Sequence, residues 1–257
     1  MTDNTIIQPE GWGDDYLSEF QTIAYKNQLA TFVHSPQWQK AIIDVSMVLH
    51  KCSLYAVDQL LKTDEPSALL LFLTANNHFL ASTRLVSAGH CLPTYPTGRA
   101  TVESALYGWY LLYNKEAALR WNNKPEDKKT LNKWNEEFRF SSLTRNLHKI
   151  DEGMAEWAKY LHQLAIDFGA HPNRDALYSN MEHVASDDGS HTVRMVTLHK
   201  MNPLSISTMK FTIETGLFSI RLFKLGFPDG SEALGLDQDI IRLTSTLRAL
   251  QQTTKLE

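Results

Sequence analysis

The sequence predicts an all-α fold, a multi-helix bundle with one small β-hairpin near residues 181–199. Three observations predict it. Most of the chain places apolar residues three and four apart, the spacing of one helix face. Helix-start and helix-stop residues punctuate those stretches, as at Ser35-Pro36, Gly89 and Asn202-Pro203. One stretch alone, MEHVASDDGSHTVRMVTLH, switches to a short period with β-branched residues around Asp187-Asp188-Gly189, the pattern of a hairpin.

The elements follow in order. After a Pro/Gly-containing leader, residues 14–33 show a modest helical pattern. Ser35 and Pro36 open a long amphipathic helix with apolar residues at 42, 45, 49, 57, 60 and 61. In DEPSALLLFLTANNHFLASTRLVSAG, Asp64 is placed to cap, Pro66 to sit in the first turn and Gly89 to stop the helix. HCLPTYP reads as a turn-rich connector to a helix over 97–114. Residues 115–140 are highly charged yet carry Trp121, Trp134, Phe138 and Phe140, which suits short peripheral helices broken near Pro125. Residues 141–169 read as one long helix with a weak point at Gly153. Pro203 to Gly226 reads as another helix, PDGS as a break, and the last helix starts near Ser231. With no repeat, low-complexity tract or flexible linker, 1–257 reads as a single helical domain. Its core is expected in 36–171, with C-terminal helices over 203–251.

Composition narrows the function classes. The 257 residues, 43% of them apolar and 21% charged, suit a globular chain with a substantial core. A net charge of −4 argues against a surface devoted to nucleic acid. Cys52 and Cys91 are the only cysteines and form no CxxC pair, which speaks against a disulfide framework or thiolate zinc site and for reduced thiols in a cytoplasm. The acidic start MTDNTIIQPEGWGDD lacks the basic and apolar regions of a signal peptide. The longest apolar run, ALLLFLTA, falls far short of the ~20 residues that span a bilayer. No membrane partner is expected.

Motifs narrow them further. There is no GxSxG, GxxxxGK[ST] or GxGxxG, so hydrolase, P-loop and dinucleotide readings have no support. His183, His191 and His199 flank the hairpin without HExxH or HxH spacing. Residues 191 and 199 on one strand would stand ~26 Å apart, too far to share an ion. No metal or cofactor is expected. The basic group Arg139, Arg145, Lys149 is diluted by Glu136, Glu137, Asp151 and Glu152 and reads as a solvated face.

One polar constellation stands out. Residues 94–114, TYPTGRATVESALYGWYLLYN, hold Arg99 and Glu103 on a helix otherwise apolar on every side, the mark of a buried helix. The two side chains lie about 40° apart. The preceding helix carries no charge between Glu65 and Arg84. Antiparallel packing of the two would bring Arg84 beside Arg99 and Glu103, away from bulk water. Removing one partner from such a buried group costs roughly 3–5 kcal/mol, and its excess positive charge invites a second acid or an anionic ligand. The plainer reading is an ion pair that fixes helix register.

His171, in LAIDFGAHPNRD, precedes Pro172 and follows Gly169 by two residues, so it belongs to a helix end. If the helix continued, Gln163, Asp167 and His171 would form one polar stripe. GRATVESALYGWYL followed by FGAHPN resembles a broad set of uncharacterised bacterial helical proteins with an Arg-x-x-x-Glu helix and a downstream His-Pro or His-Gly. Some of these are similar to the HEPN superfamily of helical ribonucleases and nucleotide-handling domains. Over residues 65–200 the resemblance implies that Arg99, Glu103 and His171 come together. The catalytic pattern of that superfamily, Arg and His four to six residues apart, is matched literally by Arg84 and His90. On an unbroken helix those two would point ~120° apart, and Gly89 should end the helix between them.

Two functions therefore stand. The first is a helical binding or assembly module, a homodimer among its candidate forms, whose Arg/Glu cluster is structural or receives an anionic group. The second is a HEPN-like metal-independent ribonuclease acting on RNA.

Overall fold

The computed structural model of the protein describes residues 8–185 and 191–253. Over these the chain forms twelve α-helices and one two-stranded sheet. Helix α1 (Tyr16–His34) starts at Asp15, whose carboxylate accepts from Leu17 N and Ser18 N. Helix α2 (Pro36–Leu60) has proline at its first position. Helix α3 (Ser67–Ser87) is capped by Glu65, which accepts from Ser67 N at 2.9 Å, and not by Asp64. Pro66 itself occupies the capping position, so the acceptor comes from the residue before it. The helix stops at Gly89, whose φ of +90° suits a residue without a Cβ.

Helix α4 (Cys91–Tyr113) corrects the expected connector: HCLPTYP is mostly helix. Pro93 lies in the first turn, where N–H groups have no helical partner. Pro96 removes a bond to the carbonyl of Leu92, and that oxygen faces Gly169, where a Cβ would come within 2.4 Å. Beyond α4, α5 (Lys115–Asn122) and α6 (Lys128–Phe138) form the charged segment, separated by residues 123–127. The long helix expected over 141–169 is two: α7 (Phe140–His148) and α8 (Glu152–Ala165). Asp151 divides them by accepting from Met154 N at 2.9 Å. A π-turn, Ile166–Ala170, leads to the short α9 (Arg174–Tyr178).

Strands β1 (Met181–Ala185) and β2 (His191–Met195) pair antiparallel, with Met181 opposite Met195. The Asp187-Asp188-Gly189 turn lies outside the described residues. Helix α10 (Pro203–Gly226) is capped by Asn202. PDGS, expected as a break, opens α11 (Pro228–Leu234), because Pro228 suits a first helical position. The break falls at Gly235, with φ +67°, before α12 (Leu236–Thr253).

Helices α2, α3, α4 and α10 form the inner bundle. Helix α1 lies over α2 and α3, α7 and α8 cover α4, and α12 closes α2 and α10. The core extends past residues 36–171. Every residue from Phe211 to Ile220 is buried, and α10 packs against α2, α3 and α4 at once. A helix buried on all sides must satisfy its own hydroxyls. Thr208, Thr212, Thr215 and Ser219 each donate to a carbonyl one turn back, at 2.7–3.0 Å. Glycines set the closest crossings: a Cβ on Gly98 would meet Phe211 Cε1 at 2.4 Å, and one on Gly216 would meet Val45 Cγ1 at 2.5 Å.

Gly216→Ala should therefore destabilise by about 1–3 kcal/mol through overpacking. That would lower the melting temperature by roughly 2–4 °C per kcal/mol. Gly153→Ala, on the exposed first turn of α8, should leave the melting temperature unchanged or raise it.

Candidate functional site

Arg99 and Glu103 meet on α4, Nε to Oε1 at 2.7 Å. Their partner is His162 of α8, whose Nε2 lies 3.1 Å from the same oxygen. A carboxylate accepts only, so His162 carries its proton on Nε2. Phe140 of α7 stacks parallel on the imidazole, with 3.8 Å between ring centres. Burial pushes the Glu103 carboxyl up, but hydrogen bonds from His162 and Arg99 outweigh it and hold the group below the usual carboxylate range. The group is a flank and not a sealed interior, since 31% of the Arg99 side chain and 33% of that of Glu103 stay exposed.

Arg84 does not join this group, contrary to expectation. It is exposed, and its side chain makes no hydrogen bond or ion pair with any described residue. Instead it lines a cleft of about 620 Å³ between α1 and α3, together with Trp12, Phe20, Tyr25 and His90. The stop at Gly89 brings this about. On a continuing helix His90 would face away from Arg84; the left-handed turn folds it back to the same cleft. The Phe20 ring meets His90 edge-on at 5.4 Å, and burial pushes the His90 pKa down. His199 braces the turn, donating from its backbone N–H to Gly89 O at 2.8 Å. The buried His199 ring donates through Nε2 to Asn180 Oδ1, also at 2.8 Å.

His171 also stands apart from Arg99 and Glu103. The π-turn ends the α8 stripe after Gln163 and Asp167, which pair at 2.8 Å, and leaves His171 exposed in a hollow beside Leu92, Pro172 and Met195. Leu92 lies eleven residues before Glu103 on α4, roughly 16 Å of helix rise. His162, absent from the sequence reading, occupies the position that His171 was expected to take. Its signal was its place beside Leu161 and Ala165 on the apolar stripe of α8.

A second charged group went unread. Lys210, Glu214 and Arg221 fall within about 40° of one another on α10. The Glu214 carboxylate is buried, with Oε1 3.6 Å from Lys210 Nζ and Oε2 lacking any hydrogen bond among the described residues. Burial pushes its pKa up, with Lys210 opposing. Lys210 lies over Tyr160 and Arg221 over Trp157, at 5.9 and 5.5 Å from the ring centres. This stripe seats α8 on α10.

The remaining candidates are accounted for by packing. Trp121 stacks on Trp134 at 5.1 Å, and Trp134 Nε1 donates to Arg120 O at 2.9 Å. Cys52 and Cys91 are buried thiols; burial pushes Cys52 up to about 12. Among the described residues no group of His, Cys, Asp and Glu could hold a metal ion, and no helix is long and apolar enough to cross a membrane.

The two carboxylates predict opposite pH behaviour. Glu214 holds its proton more tightly folded than unfolded. Stability therefore falls as pH rises from the unfolded value near 4.5 through the higher folded one. Glu214→Gln should raise the melting temperature, and by more at about pH 8 than at about pH 4. Glu103 titrates below 4.5 when folded, so its contribution is present above that value and lost in acid. Glu103→Gln should lower the melting temperature at about pH 8 and lose less at about pH 3.

No family model matches the chain, and neither does any curated protein or solved structure.

Proposed function

We propose that the protein is a helical binding module that takes an anionic, planar ligand in the cleft between α1 and α3. One observation carries this reading: Arg84 lacks an acid among the described residues and stands in a cleft walled by Trp12, Phe20 and Tyr25. A guanidinium with no acid beside it attracts an anion, and aromatic faces hold a flat ring. The volume falls within the ~300–1,000 Å³ of small-molecule sites. The Arg99–Glu103–His162 group then serves as a register pin between α4 and α8. A cytoplasmic setting, with both buried thiols reduced, accords with this reading.

Calorimetric titration with adenosine monophosphate, an anion joined to a planar ring, tests it. Wild type should bind, and Arg84→Gln should weaken binding roughly tenfold or more, the worth of a hydrogen bond to a charged group. Arg99→Gln should leave the affinity unchanged. Binding that survives Arg84→Gln, or a wild type that takes up neither this probe nor an aromatic sulfonate, overturns the reading.

The sharing of the cleft by Arg84 and His90 favours a second reading, metal-independent RNA cleavage. A lowered pKa leaves the imidazole neutral near neutral pH, able to take a proton from a ribose 2′-hydroxyl. Arg84 would stabilise the charge on the phosphorane. Under this reading, wild type cleaves single-stranded RNA with chelator present, and both Arg84→Ala and His90→Ala abolish cleavage. No cleavage by wild type above background removes it.

A further inference from the structure

His90 stands in the wall of the α1–α3 cleft together with Arg84. Its ring is half-buried, and neither ring nitrogen has a hydrogen-bond partner among the described residues. A neutral imidazole has one donor and one acceptor to satisfy; here both face whatever enters the cleft. Phe20 holds the ring edge-on, with 5.4 Å between ring centres. Three features favour the uncharged ring in the free protein. Burial pulls its pKa below the usual 6.5. Helix α4 opens at His90, so the positive end of its dipole lies there. Arg84 adds a guanidinium to the same wall. The neighbouring groups do not offset these. Tyr25 of α1 brings only a hydroxyl, while Glu19 and Lys26 of α1 lie outside the lining. The Asp15 carboxylate is turned to the α1 cap. Cys91 of α4 is buried 3.8 Å from Ser205 Oγ, and the His199 ring turns away to Asn180 Oδ1. No carboxylate lines the cleft among the described residues.

We propose that His90 is the second anion-binding group of this cleft and takes up a proton as the ligand enters, so that an imidazolium joins the Arg84 guanidinium in holding the anion. The inference rests on the reading of the cleft as an anion site. An anion beside the ring favours its charged form. One proton from solvent then goes to the free ring nitrogen for each anion bound. Linkage is reciprocal: an anion that tightens proton binding at His90 is itself bound more tightly by the protonated protein, by the same factor. Affinity therefore climbs as pH falls from the raised pKa of the complex to the lower pKa of the free protein, and is level outside that window. A tenfold preference for the imidazolium moves the pKa by about one.

Calorimetric titration with naphthalene sulfonate, an anion that keeps its charge throughout, tests the proposal. Wild type should bind roughly tenfold or more tightly at about pH 5 than at about pH 8. His90→Gln should bind equally at both, at the weaker value, with unchanged helical circular dichroism. His171→Gln, in a separate hollow, should keep the wild-type pH dependence. Nuclear magnetic resonance reads the same event without a substitution. The His90 ring signal, identified by its contact with Phe20, should titrate at higher pH in the saturated complex than in the free protein. Equal wild-type affinity at both pH values, with Arg84→Gln still weakening it, overturns the proposal and leaves the cleft an anion site. A pH dependence that survives His90→Gln overturns it too. No binding at either pH overturns the cleft reading and the proposal together.

Discussion

The structure depends on the burial of α10, complete from Phe211 to Ile220. Over that stretch the helix, enclosed by α2, α3, α4 and α12, has no solvent side on which to place polar groups. Each hydroxyl between Thr208 and Ser219 therefore bonds to the backbone one turn back, which leaves the outside of the helix free for close packing. That closeness in turn requires Gly98 opposite Phe211 and Gly216 opposite Val45 and Phe79. Three of the four charges of α10, Lys210, Glu214 and Arg221, gather on the stripe facing α8, where Trp157 and Tyr160 cover the two cations. The price of enclosure is Glu214, a carboxylate held away from water with one oxygen unpaired among the described residues.

The same constraint organises the periphery. Because the inner helices are already saturated with apolar contacts, the polar groups of α4 can reach partners only along its flank. Arg99 and Glu103 find theirs in His162 of α8, backed by the Phe140 ring. Arg84, on the side of α3 that faces α1, is left with aromatic neighbours and no acid among the described residues. The contrast between the two arginines is electrostatic in origin. One sits beside a carboxylate on its own helix; the other looks across a gap between two helices that supplies rings. The first geometry pins elements together, and the second leaves a positive charge available to a ligand.

Much of the layout was legible in the residues. The start signals at Ser35-Pro36 and Asn202-Pro203 are local, a proline at the first helical position in both and a side-chain cap from Asn202 alone, and both helices begin where those residues place them. The hairpin was legible for the same reason, its pattern residing in five-residue strands. Local signals failed where tertiary packing overrode them. Pro93 and Pro96 read as a connector, yet the helix runs through them because one lies in the first turn and the orphaned Leu92 carbonyl faces Gly169. The break at Asp151 was hidden by a continuous apolar period, which does not record a side chain turning back to cap.

The Arg99–Glu103 contact was determined by the sequence alone, because residues four apart on a helix are neighbours in any fold that keeps the helix. His162 was decided only by the tertiary structure, which lays α8 across α4 in a register that no local spacing encodes. So too was the meeting of Arg84 with His90: helical periodicity sends them apart, and the left-handed turn at Gly89, held by the His199 backbone, returns them to one cleft. The hydroxyls and four charges of α10 lower its hydrophobicity and hide its central place. Only packed neighbours reveal that the hydroxyls are satisfied from within and that Lys210, Glu214 and Arg221 share one stripe against α8. Short-range geometry follows from chain connectivity, whereas the pairing of distant elements follows from which faces must leave water together.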